Sequence, residues 1–284
     1  MYLYYKYQGI QKILGNAISA VSDTVSGTPI WDKEWDVLCV ADACRVDTFR
    51  EFHPEASSYW SVGSTSETWI ARTFGGRSNK SVGLITGNPY ASDLDPHDFG
   101  YFHLEPVTKH KLGVETVLPG TLRDHAATAW RERDKLGIDK LIVHFMQPHV
   151  PFRSRPEWFS DFEGTDTWGS FVWKQLRDGE ISLNEFFEAY RDNLEWVLED
   201  GIYPLEDLIT ATVGITADHG NAAGEFGIYG HPDSVVIPEI RKVPWVTMEA
   251  ENTGADIDEA DLETRTLADE EVKQQLAALG YLDG

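Results

Sequence analysis

The chain reads as an α/β protein, a three-layer sandwich around a mostly parallel central sheet. Three observations predict this class. Apolar runs of strand length recur along the sequence, amphipathic helical stretches alternate with them, and polar clusters follow several of the runs. With 284 residues, 42% hydrophobic, 12% aromatic and ten Trp, the chain has enough apolar surface for one large core.

Residues 1–30 open as an aromatic, mildly amphipathic helical segment. It lacks the basic start, the long apolar stretch and the cleavage site of a secretory signal. Gly27-Thr28-Pro29 breaks the chain before the first predicted strand, 36–41, whose β-branched apolar run suits a strand buried on both faces. Similar runs predict strands over 81–86, 140–146, 211–217 and 243–248. Helical spacing is expected over 122–136 and 183–198, between the strands. Residues 1–248 therefore read as one catalytic-sized domain. Residues 249–284 read as an acidic, solvated linker followed by a helix that starts near Ala268 and stops at Gly280. No stretch is long and apolar enough to cross a membrane. A cytoplasmic protein is expected, with the N-terminal helix as a candidate for peripheral contact with a membrane surface or a partner.

The formal charge is -23, from 24 basic and 47 acidic side chains. That excess argues against nucleic acid as a partner, because duplex binding rests on Lys and Arg neutralising phosphates. A small anionic substrate in a locally positive pocket remains compatible with it. The even spread of acidic residues resembles proteins of salt-saturated cytoplasm, so stability is expected to depend on salt. Cys39 and Cys44 form no disulfide framework or zinc ribbon and read as small residues around a strand end.

In open α/β sheets, sites gather at the carboxyl ends of the strands. Four polar clusters fall there. Asp42-Ala-Cys-Arg45-Val-Asp47 follows the first strand, where Asp42 can ligate a metal or cap a helix. Gly63-Ser64-Thr65-Ser66 precedes a helix-like stretch, and its hydroxyls can supply a nucleophile or a cap. His149, between Pro148 and Pro151, is expected on a stiff, exposed loop facing substrate, and His144 as a hydrogen-bonded core residue. Asp218-His219-Gly220 ends the 211–217 strand with two metal-capable side chains on one turn, and a glycine-rich loop then leads to His231.

Taken together, these clusters resemble the sulfatase and alkaline phosphatase superfamily. Asp42-x-x-Arg45-x-Asp47 is similar to its opening motif, and Pro148-His149-Val-Pro151 to its substrate loop. Asp218-His219-Gly220, Gly224-Glu225-Phe226-Gly227 and Val243-Pro244 are similar to its closing run, and Leu279-Gly280-Tyr281-Leu282 to its chain ends. The resemblance implies an alkaline-phosphatase-like fold and one divalent metal ion (Mn, Mg, Zn or Ca) held by Asp42, Asp218, His219 and the hydroxyl of Thr65. Thr65, with Ser64 and Ser66 as rivals, would attack phosphorus or sulfur and give a covalent intermediate that water or an acceptor alcohol resolves. Arg45 would brace the nucleophile or the ester, and His149 and His231 would contact ester oxygens or protonate the leaving group. The sequence departs from the sulfatase pattern in lacking C-x-P-x-R, in Ala43 where a second Asp is common, and in Phe226 where a His is usual. The expected function is a metal-dependent hydrolase or transferase of sulfate or phosphate esters. A non-catalytic, metal-stabilised protein that binds an anionic ligand or partner is the alternative.

Overall fold

A computed structural model describes residues 26–109, 113–159 and 168–279. The N-terminal segment read as helical lies almost wholly outside them, as do Gly280-Tyr281-Leu282. Seven strands form one sheet: β1 (Val37–Ala41), β2 (Ser57–Trp60), β3 (Asn79–Thr86), β4 (Phe99–Leu104), β5 (Lys140–Phe145), β6 (Ala211–Thr216) and β7 (Lys242–Ala250). Their spatial order is β2-β7-β6-β1-β5-β3-β4. Pairing is parallel from β6 through β4, whereas β7 runs antiparallel to both β6 and β2. The protein is thus α/β with helices on both faces of a mostly parallel sheet.

Alternation along the strands divides the core. Val37, Cys39 and Ala41 of β1 face one side with Leu141, Val143 and Phe145 of β5, beneath helix α2 (Pro119–Arg131). Leu38, Val40 and Ile142 face the other side, beneath helix α1 (Ser66–Phe74). Both cysteines are buried free thiols. The predicted helix 122–136 breaks at Glu132, and Gly137 closes its last turn at φ 68°. Two further helices, α3 (Trp168–Asp178) and α4 (Leu183–Trp196), cover the 147–152 loop; Ser182 and Glu185 cap α4 reciprocally.

The stretch read as a solvated linker is largely exposed, yet its backbone is tied to the domain. Thr253 N–H donates to the Asp207 carbonyl (3.0 Å), and Arg265 exchanges backbone hydrogen bonds with Phe102 and Leu104 of β4. Helix α5 (Asp269–Ala278) then inserts Gln275, whose Nε2 donates to the carbonyls of Gly87 (2.8 Å) and Glu105 (3.0 Å). No helix among the described residues is long and apolar enough to cross a membrane.

Candidate active site

The central strands end together, and the residues just past their ends converge. Asp42 follows β1, Asn88 lies two residues past β3, His144 is the penultimate residue of β5, and Asp218-His219 follow β6. Asp42, Asp218 and His219 are fully buried, and their potential ligand atoms lie within 4.8 Å of one another.

Helix α1 brings a hydroxyl to this point, and that hydroxyl belongs to Ser66. Its Oγ lies 2.7 Å from Asp218 Oδ2, 3.2 Å from Asp42 Oδ2 and 3.3 Å from His219 Nε2. Thr65, chosen from sequence, has a different position. As N-cap, its Oγ1 accepts from Thr68 N–H (3.2 Å) while Thr68 Oγ1 accepts from Thr65 N–H (3.2 Å). Ser64 Oγ accepts from Ser234 N–H (3.1 Å) and so holds the loop that carries His231. Helical periodicity explains the difference. Ser66 shares the buried face of α1 with Trp69, Ile70, Thr73 and Phe74, so packing that face on the sheet turns Ser66 toward the strand ends. The same spacing is present in the sequence and singles out Ser66.

The carboxylates are held by a strained turn. Ala43 adopts φ 59°, an uncommon conformation for a residue with a Cβ. Its N–H donates to Asp218 Oδ1 (3.0 Å), and its carbonyl accepts from the Tyr190 hydroxyl (2.5 Å) of α4. Asp42, rather than capping a helix, accepts from Asn88 Nδ2 (2.8 Å). Asp218 Oδ1 also accepts from His219 N–H (2.8 Å), and the Ser61 hydroxyl donates to the Asp218 carbonyl. Burial pushes the Asp218 carboxyl up, but His219, His144 and the Ala43 N–H outweigh it and hold the group below the usual carboxylate range.

The histidines differ in role. His219 Nδ1 donates to the Gly220 carbonyl (2.8 Å), which leaves the Nε2 lone pair facing Ser66. His144, read from sequence as a core residue, is buried but belongs to the site: its Nε2 is 3.4 Å from Asp218 Oδ2, and Trp69 packs against its ring. The loop of His149, expected to be exposed, is folded inward. Val150 and Phe152 anchor it in the apolar cluster under α4, Asn193 Nδ2 donates to the His149 carbonyl (3.1 Å), and His149 is only 4% exposed. Its Nδ1 donates to the Val150 carbonyl (2.8 Å), and its Nε2 meets His231 Nε2 at 3.2 Å. The His231 ring lies 4.5 Å from that of His219. Burial pushes His149 down to about 4 and His231 well below the ordinary imidazole value.

Arg45 departs most from its expected role. Its guanidinium forms a fork with Asp47 (2.9 and 2.6 Å) and also binds Glu225 Oε1 (2.9 Å) and the Asn221 carbonyl (2.7 Å). Those partners commit it to fastening the Asp42 turn to the 221–225 loop. Phe226, beside Glu225, is 71% exposed at φ 54°. Sequence reading missed Asn88 altogether; its position past a strand end is the signal that marks it.

No protein-family model matches the chain, and no curated protein matches it by sequence. Among solved structures it is similar to the C-terminal periplasmic domain of phosphoethanolamine transferase EptC from Campylobacter jejuni. That match has 12% identity and a TM-score of 0.44, and covers 75% of this chain and 78% of that one. The soluble domain of lipooligosaccharide phosphoethanolamine transferase A from Neisseria meningitidis matches at 14% identity, with a TM-score of 0.45 and 76% coverage of each chain. The integral membrane protein EptA from the same organism matches at 13% identity and a TM-score of 0.39, over 76% of this chain and 47% of that one.

Proposed function

We propose that the protein is a metal-dependent enzyme acting on phosphate or sulfate esters, with Ser66 as its nucleophile. One observation carries the reading: a single buried hydroxyl lies within 2.7–3.3 Å of two carboxylates and an imidazole at the carboxyl ends of the sheet. Two carboxylates buried side by side suit a cation, and carboxylate, imidazole and hydroxyl form a hard-to-borderline donor set. Asp42, Asp218, His219 and Ser66 would hold a divalent ion. When bound, that ion supplies Lewis acidity toward ester oxygens and favours the ionised hydroxyl.

The remaining chemistry belongs to the chain. Asp218 Oδ2, at 2.7 Å, orients the Ser66 hydroxyl, and Asn88 fixes Asp42. Trp69 wedges α1 against His144, so the nucleophile keeps its register on the strand ends. Attack by Ser66 Oγ on phosphorus or sulfur expels the alcohol and leaves a seryl ester, which water or a second alcohol then resolves. Burial favours the neutral form of both His149 and His231. An incoming anionic ester raises both pKa values and draws a proton onto the pair, which can then pass to the leaving oxygen.

The test is a panel of nitrophenyl phosphate, phosphodiester and sulfate esters with Mn, Mg, Zn or Ca. Wild type is compared with Ser66→Ala and Asp218→Asn. Turnover by wild type and its loss in both variants is expected. Undiminished turnover in Ser66→Ala would remove the nucleophile assignment. Tight metal binding without turnover of any ester would favour the non-catalytic binding protein.

A further inference from the structure

A second cluster of metal-capable side chains lies on the other face of the sheet. His103 of β4 pairs in register with Ile85 of β3, and Ile85 faces the core beneath α2; His144 faces α1 on the opposite side. Glu105 follows two residues later, which returns its side chain to the same face as His103. His125, on α2, closes the group. His103 Nε2 lies 2.7 Å from Glu105 Oε2, His125 Nε2 lies 3.8 Å from the same oxygen, and the two ring centroids are 3.9 Å apart with the planes tilted by 31°.

Hydrogen bonding alone serves this arrangement poorly. If His103 Nε2–H donates to Glu105, its Nδ1 is a bare acceptor, and that atom is buried with no hydrogen-bond partner among the described residues. His125 fares worse. Its Nδ1 is likewise buried without a partner, and its Nε2 is too far from Glu105 for a hydrogen bond. Two closely placed imidazoles are thus gathered around one carboxylate oxygen that hydrogen-bonds only one of them.

We infer that His103, Glu105 and His125 form a second divalent-cation site, with zinc as the ion its donors favour. Two imidazoles and one carboxylate are a recurrent zinc ligand set with a fourth position left open. Metal–ligand bonds of about 2.0–2.1 Å in a tetrahedron put neighbouring ligand atoms roughly 3.3 Å apart. The separations of 2.7 and 3.8 Å straddle that value, and all three potential ligand atoms fit within 4.8 Å of one another. Binding replaces the proton shared by His103 and Glu105, which leaves to solvent. Burial disfavours a charged ring at His125. Arg265 and Asp261 act on the cluster with opposite charge. Bound metal would clip β4 and its exit to α2, apart from the Ser66 site.

The site is tested by counting zinc. The metal-stripped full chain is titrated with Zn²⁺ against a chromophoric chelator, alongside Glu105→Gln, His125→Ala and Asp218→Asn. Glu105→Gln keeps the size of the side chain and a carbonyl acceptor for His103, and its far-UV circular dichroism is checked against wild type. One zinc equivalent fewer in Glu105→Gln and in His125→Ala is expected, with turnover of any ester substrate unchanged. Asp218→Asn should retain the visible absorption of Co²⁺ at this second site, and Glu105→Gln should lose it. An equal zinc count in wild type and a folded Glu105→Gln overturns the inference, whatever the outcome of the ester panel.

Discussion

Three neighbouring hydroxyls allow the nucleophile to be separated from its scaffold. In Thr65→Ala, helix α1 loses the side-chain half of its cap, a change of about 1 kcal/mol. For a domain of this size that corresponds to a Tm lower by roughly 2–4 °C. Among the described residues the hydroxyl removed hydrogen-bonds Thr68 alone and no group of the site, so turnover should stay within a few-fold of wild type. Ser66→Ala removes the group 2.7 Å from Asp218 and 3.2 Å from Asp42. Loss of a nucleophile lowers turnover by on the order of 10⁴-fold or more. At about 1.36 kcal/mol per tenfold, that is at least about 5 kcal/mol of transition-state stabilisation. Ser64→Ala removes one of the two acceptors of the Ser234 N–H, leaving Asp233 Oδ1, and should weaken substrate binding through the His231 loop more than it slows chemistry. The assay pairs thermal denaturation with initial rates on whichever ester wild type turns over. Turnover abolished in Thr65→Ala and retained in Ser66→Ala would refute the reasoning.

Other perturbations follow from the same geometry. Tyr190→Phe leaves the Ala43 carbonyl and the Arg45 N–H without their shared partner in a buried place, which should cost roughly 2–4 kcal/mol and weaken metal binding, measured by denaturant titration and metal competition. Gly63→Ala would put a Cβ 2.5 Å from Trp69 N, so α1 must shift; a displacement near 1 Å should cost about 10²-fold in turnover while far-UV circular dichroism is preserved. For His149, the folded-state pKa of about 4 lies below an unfolded value near 6.5. Between those values the unfolded chain binds more protons, so stability should fall by about 3 kcal/mol as pH drops from about 6.5 to about 4. Equal acid sensitivity in wild type and His149→Gln, followed by equilibrium unfolding, would contradict this.

The fold was legible where strands are buried on both faces. The runs at 36–41, 140–146 and 211–217 are nearly continuous apolar stretches because β1, β5 and β6 are covered on both sides. β2 escaped notice because Ser57 and Ser58 face solvent, and β4 because Gly100 and His103 interrupt its apolar run. At the site, Asp42 and Asp218-His219 could be picked out because each directly follows a strand. Ser66 could not be separated from its neighbours by residue type, since all three carry hydroxyls; only the helical phase set by Trp69 and Ile70 does so. Asn88 went unnoticed and His144 looked like a core residue, because what makes them part of the site is the strand order. Parallel neighbours brought from distant parts of the chain meet there, and local pattern carries no record of that order.

The chain that returns along β4 has a further effect. An outermost strand presents a row of backbone N–H and C=O groups on which a foreign strand can be templated. On β4 part of that row is occupied by Arg265, which gives its carbonyl to Leu104 and its N–H to Phe102. At the opposite margin β2 is only four residues long and carries exposed serines, a poor template. A proteolytic cut between Ala250 and Arg265 would release this cover and leave β4 open to self-association. The returning chain thus covers part of the edge on which a second molecule could pair, and like charge on its acidic residues opposes close approach of another copy.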